Sequence, residues 1–236
     1  MTAMPKAAIF DLDGVLLDTE PLYTQATEVV VREFGRTYPW SLKRRIMGGS
    51  AYLGAEIVVA ELDLPISPAE YLARRRGLLI ELFQQALPIE GAENLVRTLS
   101  ALGLPLAIAT SSERELFERK TSRHAWFSLF SVIVCGDDPR IRHPKPAPDI
   151  FLLAGQELKV AIADCVIFED SPNGVRGAAA SGARVVARRD DGLSLEELSL
   201  AHRIVSRYSE LELPDCLAKL RADSSPAANL DAVTSA

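Results

Sequence analysis

Five short stretches of the chain are apolar with no polar alternation: residues 7–10, 104–109, 132–135, 165–168 and 183–187. Strands covered on both faces of a parallel sheet read this way, because neither side of the pleat meets water. From the second stretch onward, segments with apolar residues at helical spacing lie between the strands, as in residues 93–102, closed by Gly103, and residues 150–158. The alternation predicts an α/β fold, a doubly wound parallel sheet flanked by helices.

Between residues 18 and 89 the rhythm changes to helix-like segments with no clear strand. Residues 21–34 are apolar at helical spacing and run into Gly35. Ser67-Pro68-Ala69-Glu70 has the marks of a helix start: a serine cap, a proline in the first turn and a glutamate placed for a capping box. The pattern predicts an α/β core from residues 1–17 and 90–222, with a helical insertion at 18–89 that leaves the sheet after the first strand and rejoins before the second. Residues 223–236 are small and weakly patterned, and a disordered tail is expected there.

Composition narrows the class. With 48% hydrophobic and 25% charged residues in 236, the chain reads as an ordinary soluble globular protein. A net charge of −6 argues against nucleic acid or an anionic membrane surface as partner, so an anionic ligand needs local positive charge. Three widely spaced cysteines, Cys135, Cys165 and Cys216, without a CxxC pair, make a disulfide framework or zinc site an unattractive reading. No apolar run approaches the roughly 20 residues that span a bilayer, and no signal-peptide core precedes the first strand, so the cytoplasm is the expected location.

In doubly wound sheets, ligands bind beyond the carboxyl ends of the strands. The reactive side chains collect there. Asp11 and Asp13 follow the first strand in "AIFDLDGV", Thr110 and Ser111 end the second, Glu169 and Asp170 end the fourth, and Lys145 lies in "HPKPAPD" beyond the third. Asp11 and Asp13, two apart on extended chain, can address one site. Two such carboxylates coexist when a cation or a proton offsets one of them. Glu169 and Asp170 are hard oxygen donors of the kind Mg²⁺ prefers. Thr110 and the turn after it offer donors for phosphate oxygens, and prolines 144, 146 and 148 stiffen the mount of Lys145. Each piece alone has a plain explanation as a cap or a surface loop; His143, nearby, is given no role.

Taken together and in this order, the four pieces resemble the haloacid dehalogenase superfamily. "DLDGV", "IATSS", "HPKPAPD" and "FEDSPNG" match its four motifs, and the helical insertion falls where members carry a small helical cap. The third motif commonly reads Gly-Lys-Pro, and Pro144 replaces that glycine here. The resemblance implies that Asp11 is a nucleophile forming an aspartyl-phosphate and that Asp13 is the general acid and base. It also implies that Thr110, Ser111 and Lys145 bind phosphate, and that Mg²⁺ is held by Asp11, Asp170, neighbouring Glu169 and the main-chain carbonyl of Asp13.

Dehalogenases of the superfamily lack the second aspartate, and its β-phosphoglucomutase-like mutases carry a histidine and an arginine where Tyr23 and Ala51 stand. "LLDTEPLY", "SLKRRIMG" and "KTSRHAWFSLFSVIVCGDDP" resemble the subgroup of pseudouridine-5′-phosphatases and glycerol-3-phosphatases. The expectation is a Mg²⁺-dependent phosphatase acting on a small phosphorylated metabolite, a nucleoside, sugar or polyol phosphate, as a monomer or weak dimer. A mutase is the alternative, and a non-enzymatic binding module is disfavoured because Asp11 and Asp13 are both retained.

Overall fold

The computed structural model describes residues 4–47, 49–190, 192–215 and 217; the expected tail at 223–236 and Cys216 lie outside them. After β1 (Ala7–Phe10) and the two-residue β2 (Leu17–Asp18) come four helices, α1 (Glu20–Arg32), α2 (Trp40–Ile46), α3 (Ala51–Glu61) and α4 (Pro68–Leu82). The short β3 (Leu87–Pro88) and α5 (Ala92–Ala101) lead into β4 (Leu106–Thr110), α6 (Arg114–Thr121), β5 (Val132–Cys135) and α7 (Asp149–Glu157). β6 (Cys165–Glu169), α8 (Pro172–Ala180), β7 (Arg184–Arg188) and β8 (Arg203–Val205) complete the order.

Six strands form one parallel sheet in the order β5-β4-β1-β6-β7-β8. All four residues of β1 are buried, and the pleat divides them between two cores: Ala8 and Phe10 face one cluster, Ala7 and Ile9 the other. Phe10 stacks on Phe168 of β6 with ring centroids 4.5 Å apart, tying the two central strands together. Burial on both faces explains the five uninterrupted apolar runs. The second strand starts later than its apolar run, because the Leu104 amide still bonds to Leu99 and closes α5 after Gly103, whose φ is +81°.

The chain moves outward from β1 to β4 and β5, then crosses back to β6 on the other side of β1. The loops after β1 and β6 therefore diverge, which opens a crevice at their carboxyl ends.

The four helices α1–α4 surround a cluster of their own that includes Val30, Val31, Leu42, Val58 and Tyr71. Ser67 caps α4 by accepting the Glu70 amide at 3.1 Å, while the Glu70 carboxylate pairs with Arg74 at 2.8 Å. β2 and β3 pair antiparallel, Leu17 with Pro88 and Asp18 with Leu87, so the chain leaves and re-enters the α/β part side by side. Across the seam, Asn173 donates to the Met47 carbonyl at 2.9 Å, Arg44 meets Glu197 at 3.3 Å, and Arg76 pairs with Glu113 at 2.5 Å and with Glu115.

Candidate active site

The Asp11 amide donates to the Phe168 carbonyl at 2.9 Å, extending the β1–β6 pairing by one residue. This sets the Asp11 carboxylate beside the end of β6. Lys145, buried and lying 4.8 Å from the Phe151 ring centroid, reaches in from the loop after β5. Its ammonium donates to Asp11 Oδ1 and to Glu169 Oε1, each at 2.6 Å, and to the Ala109 carbonyl at 3.1 Å. All three donors are used, and Pro144 does not keep the amine from Asp11.

Asp11, Glu169 and Asp170 are buried with carboxylate oxygens within 4.8 Å of one another. Removal from water raises the Asp11 pKa to about 7; the Lys145 charge opposes the rise, and Glu169 and Asp13 add to it. Burial likewise pushes Asp170 well above the usual carboxylate range, helped by Glu169 and Asp11. One lysine against three carboxylates leaves a deficit of positive charge, and the donors are hard oxygens, so the cluster fits a divalent cation such as Mg²⁺. Within it Glu169 is the most committed: Oε1 takes Lys145, and Oε2 takes the Asp170 amide at 2.9 Å, the Ser171 amide at 3.3 Å and the Ser171 hydroxyl at 3.2 Å. Asp170 keeps more of its oxygens for a metal.

Two glycines make room for this cluster. A Cβ on Gly14, whose φ is +77°, would overlap the Asp170 carboxylate, and one on Gly174 would overlap that of Glu169. The same turn is fastened by Ser171, which caps α8 by accepting the Gly174 amide at 3.0 Å.

The Asp13 carboxylate lies outside the acidic cluster, so its place in the expected metal set rests on its main-chain carbonyl. The carboxylate turns instead toward α6 and α1. Lys120 donates to Oδ1 at 2.5 Å, the Thr19 hydroxyl also donates to Oδ1, and the Ser112 hydroxyl donates to Oδ2 at 2.9 Å. Lys120 further donates to Ser112 Oγ at 2.7 Å and to the Tyr23 hydroxyl at 2.8 Å. Burial works against the Lys120 charge, but Asp13 and Tyr23 together hold the amine above its ordinary range. Lys120 is a site residue that the motif-based reading misses. Its signal is position: it continues the buried stripe of Leu116 and Phe117 on α6, where an apolar residue is expected.

Thr110 is fully buried, and its hydroxyl accepts the Ser112 amide at 3.1 Å, which shapes the turn after β4. Ser111 and Ser112 follow on the cavity wall. The carbonyl side of Ser111 packs so closely on Gly136 that a Cβ there would strike it.

Above Asp11 and Asp13 is a cavity of about 140 Å³, space for a small ester rather than a polymer. Its far wall comes from the four helices, with Thr24 and Thr27 of α1 and Lys43 of α2. Lys43 pairs with the half-buried Glu20 carboxylate at 3.2 Å and donates to Thr24 Oγ1 at 2.8 Å. Tyr23 and Ala51 also line it. His143 is exposed and pairs with Asp149 at 3.4 Å, away from this site.

Strand-end carboxylates beside a buried lysine are groups that phosphoryl transfer can use, and the comparisons show the family. Residues 5–182 match the haloacid dehalogenase-like hydrolase family. A probable pseudouridine-5′-phosphatase of Drosophila melanogaster is 41% identical over 208 residues, covering 86% of this chain and 90% of that one. A (DL)-glycerol-3-phosphatase 2 of Arabidopsis thaliana is 37% identical over 204 residues, covering 84% and 85%. The crystal structure of CbbY from Rhodobacter sphaeroides in complex with phosphate superposes with a TM-score of 0.77 at 26% identity, covering 91% of this chain and 99% of that one.

The chain belongs to the haloacid dehalogenase-like hydrolases. Within them it is a phosphoric monoester hydrolase, as its relatives are. Members of this class use a divalent metal. Among the described residues, no helix is long and apolar enough to cross a membrane.

Proposed function

We propose that this protein is a Mg²⁺-dependent phosphatase of small phosphate monoesters and that it works through an aspartyl-phosphate on Asp11. The observation that carries this reading is the pairing of two unlike carboxylates under one cavity. Asp11 sits with Lys145 and the acidic cluster, and Asp13 sits apart in a hydrogen-bonded mount.

An Asp11 carboxylate oxygen attacks phosphorus, and the bond from phosphorus to the ester oxygen breaks. Asp13 gives its proton to the leaving alkoxide. Asp13 then takes a proton from water as that water attacks the same phosphorus, and the bond to Asp11 breaks to release phosphate. Asp11, Asp170, the neighbouring Glu169 and the Asp13 main-chain carbonyl would hold the metal, which would supply positive charge to offset that of the transferring phosphoryl group. Lys145, with the turn Thr110-Ser111, holds the phosphoryl group. The helical segment 18–89 acts as a cap that limits water and selects the leaving group.

A nucleoside 5′-phosphate or a polyol phosphate is the proposed substrate. The names of the two sequence relatives support this, as do the hydroxyl, carboxylate and ammonium groups that α1 and α2 present to the cavity. At position 51 a methyl group lines the cavity where the resembling mutases carry an arginine, which favours the phosphatase reading.

The test is phosphate release by purified protein across polyol, sugar and nucleoside monophosphates, with Mg²⁺ or with chelator. Turnover is expected only with the metal, and Asp11→Asn is expected to abolish it. Metal-independent release, or an active Asp11→Asn protein, overturns the mechanism. A requirement for a bisphosphate primer, with an isomer as product, identifies a mutase.

A further inference from the structure

Lys120 has no part in the reaction as written above, yet it is almost completely buried. Burying an ammonium is costly unless its donors are paired. Here each of the three has an acceptor, in Asp13 Oδ1, Ser112 Oγ and the Tyr23 hydroxyl. The lysine is therefore fixed by contacts from three separate segments, and it fixes them in turn.

The consequence falls on Asp13. An ionised carboxylate offers about four lone-pair positions, two on each oxygen. Oδ1 receives both Lys120 and Thr19, which fills it. Among the described residues, Oδ2 receives only Ser112. Because Ser112 Oγ accepts from Lys120, its own proton is turned toward Asp13. One position, on Oδ2, is left open.

We propose that Lys120 is a positioning residue which, with Thr19 and Ser112, occupies every acceptor position of Asp13 but one, so that the proton passes between enzyme and substrate through Oδ2 alone. This rests on the assignment of Asp13 as the general acid and base. In the first half-reaction the proton on Oδ2 goes to the leaving oxygen; in the second, Oδ2 takes a proton from the attacking water. Lys120 keeps its own protons throughout.

The test is leaving-group dependence. The ratio kcat/KM reports the steps through loss of the alcohol, and 4-nitrophenolate leaves without a proton whereas glycerol does not. For glycerol-3-phosphate, Asp13→Asn and Lys120→Met are each expected to lose about 10²-fold or more in kcat/KM, against less than about tenfold for 4-nitrophenyl phosphate. Lys120→Gln, which keeps a donor, is expected to recover part of the difference. Equal losses on both esters, or no loss, in Lys120→Met overturn the proposal when Asp13→Asn does discriminate. If Asp13→Asn loses both activities equally, the assignment of Asp13 itself fails. Should the lysine variants not fold, the wild-type protein decides: in a crystal structure with Mg²⁺ and orthovanadate, the apical vanadate oxygen is expected on Asp13 Oδ2. An apical oxygen on Oδ1 refutes the inference.

Discussion

Gly14 and Gly174 mark how tightly the acidic residues are packed, since neither position has space for even a methyl group. Gly174→Ala is expected to displace the Glu169 carboxylate and loosen Lys145, lowering turnover by about 10²-fold through misplacement alone. Initial rates beside circular dichroism check this; full activity with native dichroism contradicts it. The carboxylates also couple stability to pH. The folded-state pKa of Asp11, about 7, lies above its ordinary value of 3.8. Between those values the metal-free native protein holds a proton that the unfolded chain has released, so this group's contribution to stability declines as pH rises through that window. A divalent cation binds the ionised form and reverses the loss. The rise in Tm on adding Mg²⁺ is therefore expected to grow from about pH 5 to about pH 8, and thermal scans showing a constant gain would count against the site.

At the scale of elements, Ser67 offers a clean separation of stability from chemistry. It caps α4 far from Asp11, so Ser67→Ala is expected to cost about 1 kcal/mol and lower Tm while leaving kcat unchanged; a large loss of kcat would mean that α4 is coupled to the reaction. The same cap is legible in the sequence, because Ser-Pro-Ala-Glu is a local signal. The five long strands are legible for a similar reason, as burial on both faces leaves no polar residue to interrupt them. β8 escapes such a reading, being three residues at the sheet edge with Arg203 at its start. β2 and β3 escape it because two residues carry no period. In the site, Asp11, Glu169 and Asp170 stand at strand ends and Lys145 in the loop beyond β5, all in recognisable motifs, and the structure brings them together. Lys120 lies in the strongly charged run "ERELFERKTS", where a lysine looks like solvated surface. Its place in the stripe of Leu116 and Phe117 is a faint local signal, and the contacts with Asp13 and Tyr23 that give it a role are tertiary.

For the whole molecule, the seam between the four helices and the α/β part joins a small apolar cluster, Ala26, Leu79 and Phe83 against Leu116 of α6, with polar ties around it. Arg76, with a third of its side chain exposed, pairs with Glu113 and Glu115 at the mouth of α6. Pairs this exposed contribute on the order of 1 kcal/mol or less. Arg76→Ala is accordingly expected to shift Tm little but to raise KM, because the cavity loses a clasp on its rim. Unchanged KM and kcat in that variant would show that the clasp is idle. The β2–β3 ribbon has a wider consequence. Because Leu17 and Pro88 stand side by side, the two cut ends of the α/β part are already joined before any helix is added. Whatever lies between them can be lengthened, shortened or exchanged in descent without altering the register of β1. Choice of leaving group can thus drift across lineages while Asp11 and Asp13 stay in place, and one phosphoryl chemistry comes to serve many metabolites.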